Sequence, residues 1–194
     1  MSKEQAERLN EKGKQLGRAK KHMEALEYFI SASEICPEEG KYRYNMGIAY
    51  KNTKRNEEAL RSFFDALELG YEHNDCYCAI GVILRDKAEY ELAESYFNKA
   101  LQQDPECMGA IVERATNNFF SGQKEKALDD VNFLISRNPE DSKYYLLRAI
   151  LYHSFGMKDE LSSELDKARE VYEAMEKKMK LSRKQKPKTF ETAH

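Results

Sequence analysis

Residues 74–107 read NDCYCAIGVILRDKAEYELAESYFNKALQQDPEC, and the spacing within this stretch decides the fold. Tyr77, Ile80, Gly81 and Leu84 recur at three- and four-residue intervals or as neighbours on one side of a helix. Ala93, Phe97 and Ala100 follow at steps of four and three, which gives a second helix one apolar face. Pro105 then ends that helix, because proline has no N–H to donate and clashes with the preceding turn. The stretch is a pair of helices, each with a face to bury.

The same pattern returns every 34 residues. Gly13 is followed by Gly47, Gly81, Ala115 and Ala149, a small residue each time. Ala25 leads to Ala59, Ala93, Ala127 and Leu161; Phe29 to Phe63, Phe97, Val131 and Leu165; Ala32 to Ala66, Ala100, Leu134 and Ala168. No insertion or deletion breaks the step. A small residue midway along the first helix lets the second approach closely, and the large residues fill the space so left. A two-helix unit cannot bury both of its faces alone, so each copy needs neighbours.

These columns resemble the tetratricopeptide repeat family. The resemblance covers residues 6 to 175, with Pro37 and Pro139 in the column of Pro105 and with Tyr71 and Glu173 in its place in copies two and five. It implies an all-α fold, a right-handed superhelical stack of helix-turn-helix repeats (an α-solenoid) with repeats at 6–39, 40–73, 74–107, 108–141 and 142–175. Copy five departs from the pattern. Leu165, Ala168, Val171, Tyr172, Met175 and Met179 carry the helical spacing past the repeat, so an extended C-terminal capping helix is expected to about residue 181. Residues 1–181 then form a single domain, and 182–194 a basic, disordered tail bounded by Pro187. Copy four departs too: Asn118 stands where Leu16, Tyr50, Leu84 and Tyr152 stand in the others. Either an aromatic neighbour, Phe119 or Phe120, rotates in to fill the gap, or the repeat is locally distorted.

Composition agrees with such an array. Charged residues are 34% of the 194, apolar residues 41%, and there are four prolines, so long irregular loops are disfavoured. The net charge of −2 is unevenly spread: Lys177, Lys178, Lys180, Arg183, Lys184, Lys186 and Lys188 form a run of +7 without an acid, leaving −9 on the rest. That run has three readings: solvation of the last helix, contact with an anionic surface, or a transport signal. It lacks interleaved aromatics, so it offers bases no stacking platform and nucleic acid is not an expected partner. No apolar run is long enough to span a membrane, and the opening Met1-Ser2-Lys3-Glu4-Gln5 has no apolar signal core. Cys36, Cys76, Cys78 and Cys107 read as reduced thiols of a cytoplasmic protein.

In the family the first helices line a concave face that binds a partner. Carried onto this chain, the groove takes Asn10 and Lys14 from copy one, Tyr44, Asn45 and Ile48 from copy two, and Cys78, Val82 and Arg85 from copy three. Copy four adds Val112, Thr116 and Phe119; copy five adds Leu146, Ile150 and His153. The expected groove is polar early and apolar late, and an apolar face that neighbours leave uncovered suits a protein or peptide segment. The implied role is a protein-interaction module: adaptor, scaffold or assembly chaperone. The alternatives are a structural subunit that self-associates into an oligomer, and a tether working through the basic run.

Family members that grip the acidic tails of cytosolic chaperones use a carboxylate clamp of Lys, Asn, Asn, Lys and Arg. Here Asn10 and Lys14 are reversed in order, Asn45 matches, and Asp75 and Ala79 hold the last two places. A carboxylate needs cationic donors, and Asp75 would repel it, so an intact clamp is not expected. His73, Cys76 and Cys78 suggest a metal site only superficially, because Cys76 and Cys78 lie about 200° apart on a helix. No catalytic group, cofactor or metal is expected from any constellation in the chain.

Overall fold

The computed structural model describes residues 2–185. They form ten α-helices: α1 Lys3–Arg18, α2 His22–Ile35, α3 Gly40–Asn52, α4 Asn56–Glu68, α5 Asn74–Asp86, α6 Tyr90–Gln103, α7 Met108–Phe120, α8 Lys124–Arg137, α9 Ser142–Ser154 and α10 Lys158–Gln185. From α3 onward, each first helix starts 34 residues after the last, at Gly40, Asn74, Met108 and Ser142. The second helices keep the same step throughout, from His22 through Asn56, Tyr90 and Lys124 to Lys158. The all-α architecture of adjacent helix pairs is therefore as the sequence reads, and no strand occurs among the described residues.

The turn inside each pair repeats atom for atom. Lys20, Lys54, Ala88, Gly122 and Gly156 stand 34 residues apart, and all have positive φ, between 60° and 76°. The residue after each of them donates its N–H to the carbonyl five residues earlier: Lys21 to Leu16, Arg55 to Tyr50, Glu89 to Leu84, Gln123 to Asn118 and Met157 to Tyr152, at 2.8–3.0 Å. One left-handed residue thus reverses the chain and satisfies a carbonyl that the helix end leaves open.

The described residues divide into two compact units, one up to Asn117 and one from Asn118, the division falling within α7. In the first, Phe63, Phe97, Ile80, Ile83 and Cys76 are at most 1% exposed and form a core with Ala59 and Ala93. Phe29, Met46 and Ala25 make a second cluster, and Ala6, Ala32 and Tyr42 a third. Fully burying a side chain of Phe or Ile size contributes about 1.5–3 kcal/mol, so these clusters dominate the unit's stability. The helices meet closely because of the small column: a Cβ built on Gly13, Gly47 or Gly81 would lie 2.5–2.6 Å from Cε1 of Phe29, Phe63 or Phe97.

In the second unit Val131, Leu134 and Leu151 are at most 1% exposed, with Tyr145, Ala149 and Ala168 beside them in the core. Asn118 is 1% exposed, and α7 runs without a break through Phe120. No aromatic replaces it and no distortion accommodates it. Its Nδ2 donates to Asp130 Oδ2 at 3.4 Å, so a polar pair occupies the place that Leu or Tyr fills elsewhere. Phe119 turns the other way, its ring 5.1 Å from that of Phe120 and 6.1 Å from that of Phe155. The last helix is 28 residues long against 13–16 for the others, and it extends beyond the repeat as its spacing predicts. The disordered tail was expected from residue 182, but α10 continues through Gln185; the rest of that expectation, 186–194, lies outside the described residues.

Candidate partner-binding surface

In the first unit the groove positions divide into a polar spine, a cavity and an apolar strip. The spine is interior. Asn10 is 2% exposed; its Nδ2 donates to Glu7 Oε1 at 3.3 Å, and its Oδ1 accepts from Asn45 Nδ2 at 2.7 Å. Glu7 also receives Lys41 Nζ at 2.6 Å and the Tyr42 hydroxyl at 3.2 Å. The Lys41 hydrogen bond, outweighing the cost of burial, holds the Glu7 carboxyl below the ordinary carboxylate range. Asn10 therefore joins copy one to copy two and orients Asn45, presenting almost no surface of its own.

The cavity, of about 310 Å³, opens between α1, α2 and α3. Lys14, Gly17 and Arg18 line it from α1, His22 and Phe29 from α2, and Asn45, Ile48, Ala49 and Asn52 from α3. Its floor is hydrocarbon and its rim carries cations and amides. Lys14 shares its charge with Glu11 at 2.7 Å, while Arg18 is exposed to solvent. This combination suits an apolar side chain flanked by an acceptor, either a carboxylate or a backbone carbonyl. Arg18, His22 and Asn52 were not among the expected residues. The signal was present, for Arg18 lies one turn beyond Lys14, and Asn52 two turns beyond Asn45, on the same faces.

The strip runs from α3 to α5. Tyr44, Ile48, Cys78 and Val82 are half-buried and pack on the Phe63 core with one side while leaving the other open. The Tyr44 ring lies 5.7 Å from Phe63 and 5.1 Å from Tyr71, which takes the proline column of copy two. Burial first, then the charge of Asp75, keeps the Tyr44 hydroxyl protonated well above its usual range. Burial likewise pushes the Cys78 thiol up to about 12, so it is no nucleophile at neutral pH. Arg85 is committed: its Nη1 lies 2.6 Å from Glu113 Oε2 and 3.3 Å from the Glu113 carbonyl. Val112 and Thr116 are half-buried on α7, the Thr116 hydroxyl donating to the Val112 carbonyl at 2.7 Å.

In the second unit Phe119 is half-buried, whereas Leu146 is 46% exposed, Ile150 55% exposed, and His153 exposed beside them on α9. Of the two places where the clamp departs, Asp75 is exposed at the start of α5 and Ala79 is buried. No group of three or more His, Cys, Asp or Glu that could hold a metal ion occurs among the described residues, and none of their helices is long and apolar enough to cross a membrane.

A tetratricopeptide-repeat family model matches residues 75–107, within the third helix pair and the turn after it. Among the described residues, five helix pairs at one step, with one shared turn, fit a tandem array of such repeats. The chain's fold is similar to that of MamA from Desulfovibrio magneticus RS-1, at 21% identity and a TM-score of 0.73 over 94% of this chain and 98% of that one. It is also similar to YrrB, described as a TPR protein with an unusual peptide-binding site, at 20% identity and a TM-score of 0.68 over 84% of each chain. In sequence, 82 residues are 30% identical to a UDP-N-acetylglucosamine–peptide N-acetylglucosaminyltransferase of Giardia intestinalis. That match takes in 42% of this chain but spans only 6% of the transferase.

Proposed function

We propose that this repeat protein holds an extended segment of a partner protein against the first-helix face of its N-terminal unit, as an adaptor, scaffold or assembly chaperone of a reducing, cytoplasmic compartment, and that it is not an enzyme. The observation that carries this reading is the cavity between α1, α2 and α3 beside the open strip of Tyr44, Ile48, Cys78 and Val82. A partner side chain rests on Phe29, Ile48 and Ala49, while Lys14 and Arg18 meet an acceptor on the same segment and Asn45, held by Asn10, fixes its backbone. Val112 and Thr116 continue this face on α7. Phe119, Leu146, Ile150 and His153 supply a second apolar surface on the other unit. The peptide-binding site named for YrrB supports the choice of a peptide as ligand. Three or four buried anchors, offset by the cost of ordering the segment, give affinity on the order of micromolar.

The test is recovery of partners by the tagged chain from its native source, compared with Lys14→Ala/Arg18→Ala/Ile48→Ala and with Leu146→Glu/Ile150→Glu. Loss of the same partners with the cavity variant, its helical circular dichroism retained, is the expected result. Unchanged recovery with both variants removes the reading. Loss only with the α9 variant moves the binding surface to the second unit.

A further inference from the structure

The last helix exposes an apolar stripe in register with its own charge pattern. Leu165, Tyr172 and Met179 stand seven residues apart on α10 and are 43%, 52% and 43% exposed. Residues at a spacing of seven share one side of a helix. The side that α10 buries is different: Glu164 and Ala168 are 7% and 3% exposed, and Leu161, Val171 and Met175 are half-buried. At about 100° per residue the exposed stripe is centred about 60°, a sixth of a turn, from that side and borders it. The column of Leu165 makes its exposure unusual, because Phe29, Phe63, Phe97 and Val131 in the same column are 5%, 0%, 0% and 0% exposed. A position that four copies bury is open in the fifth.

The charges of α10 are sorted along its length. From Lys158 to Glu173 the acids Asp159, Glu160, Glu164, Asp166, Glu170 and Glu173 outnumber Lys158, Lys167 and Arg169. From Ala174 to Lys180 the lysines Lys177, Lys178 and Lys180 outnumber Glu176. Two α10 helices laid antiparallel about Tyr172 put the acidic half of each against the basic half of the other. The same arrangement sets Tyr172 against Tyr172, and Leu165 against Met179 of the second copy. On the exposed flank of the stripe, Arg169 comes within one residue, about 1.5 Å of helix rise, of being level with Glu176, once on each side of the two-fold axis. Within one chain these two side chains are 70% and 44% exposed, with Arg169 3.4 Å from Asp166 and Glu176 3.1 Å from Lys180. A parallel pairing would instead align Arg169 with Arg169 and acidic half with acidic half.

We infer that α10 is a self-association surface, and that two copies of this chain pair through it antiparallel, centred on Tyr172. The contact from Leu165 to Met179 is about 21 Å long, one helix face wide, which gives a reversible dimer in the micromolar range rather than an obligate one. This surface lies on a different unit from the cavity, so the two proposals stand or fall separately.

Sedimentation equilibrium of the full chain from about 1 to 200 μM is expected to show a monomer–dimer equilibrium. Leu165→Glu/Tyr172→Glu, at exposed positions that spare the core, should be monomeric across that range with its helical circular dichroism unchanged. A native chain that stays monomeric, or a dimer that survives this variant, overturns the proposal. Orientation is read from oxidative cross-linking, with the native chain as background for its own thiols. A mixture of Leu165→Cys and Met179→Cys should yield a dimer joining one variant to the other, and Leu165→Cys alone should not exceed background. Efficient cross-linking of Leu165→Cys to itself overturns the antiparallel arrangement. Arg169→Glu, which faces Glu176 with a like charge, should raise the dimer dissociation constant at least about tenfold at low salt.

Discussion

A Cβ at Gly81 would sit 2.6 Å from Cε1 of Phe97, closer than any real side-chain contact, and Gly47 and Gly13 stand in the same relation to Phe63 and Phe29 at 2.5 Å. Glycine is present in these copies because the aromatic ring occupies the volume of a methyl group. In copies four and five the small column carries Ala115 and Ala149, and the large column has shrunk to Val131 and Leu165. In copies one to three the pair is thus a matched volume, the glycine giving up what the ring takes.

Gly81→Ala is accordingly expected to lower unfolding free energy by about 1–3 kcal/mol, the usual cost of overpacking a core. Gly17 is the control, since a Cβ there meets nothing within 4 Å. Gly17→Ala should instead raise stability by about 0.5–1 kcal/mol through helix propensity. In Gly81→Ala/Phe97→Leu the smaller side chain makes room for the methyl, so the double change should cost less than the sum of the singles. Urea denaturation of the four proteins measures the coupling.

The left-handed turn residue gives a second prediction. Lys20, Lys54 and Ala88 adopt φ of 60–64°, where an L side chain is strained, while Gly122 and Gly156 adopt it freely. Ala88→Gly should therefore stabilise the protein by about 0.5–1 kcal/mol, the strain relieved exceeding the added chain entropy. Gly122→Ala should destabilise it by about 1 kcal/mol. Opposite signs at two members of one column, read from denaturation midpoints, are the decisive result.

That column also marks where the sequence stopped being legible. The 34-residue step, the helix pairs and the long last helix could all be read from periodicity, because packing demands the same volumes in each copy. The turn geometry could not, since only two of its five residues are glycine and the backbone hydrogen bonds that impose it are independent of side-chain type. The surface was half legible. Ile48, Val82 and Tyr44 follow from helical register, but register alone does not show that Asn10 is interior or that Arg85 is spent on Glu113, which depend on the neighbouring repeat. Asn118 was legible as an anomaly but not in its solution, because its partner Asp130 sits on the facing helix, twelve residues on.

Cys76 is fully buried, its Sγ 3.6 Å from the Phe63 carbonyl, and burial, helped by Asp75, pushes its thiol up to about 12 from an ordinary 9.0. In the unfolded chain the thiol ionises near 9, so above that pH the unfolded state binds fewer protons than the folded one. Stability from this group is whole below pH 9 and declines as pH rises toward 12, by up to about 1.4 kcal/mol per unit. Cys76→Ala should flatten the fall in denaturation midpoint between pH 9 and 11. At pH 8 the folded thiol is ionised to about one part in ten thousand, so Cys76 should resist iodoacetamide until the protein is unfolded. Rapid labelling of Cys76 in the native protein would contradict its place in the core.

In the second unit, Arg148 Nη2 lies 3.0 Å from Glu164 Oε2, with side-chain exposures of 20% and 8%, and Nη1 lies 2.5 Å from Asn132 Oδ1. The pair joins α9 to α10, yet it is incompletely satisfied, since Arg148 Nε and Glu164 Oε1 have no hydrogen-bond partner among the described residues. Taking charges out of water is costly, and their attraction offsets this only while both are present. Arg148→Ala leaves Glu164 buried without its cation and should lower stability by about 3 kcal/mol. Arg148→Leu/Glu164→Leu removes both charges and restores hydrocarbon, so it should come within about 1 kcal/mol of the native protein or exceed it. If the double variant is instead weaker than Arg148→Ala, the ion pair contributes net stability and α10 is held to α9 by charge more than by the packing of Ala168 and Leu151.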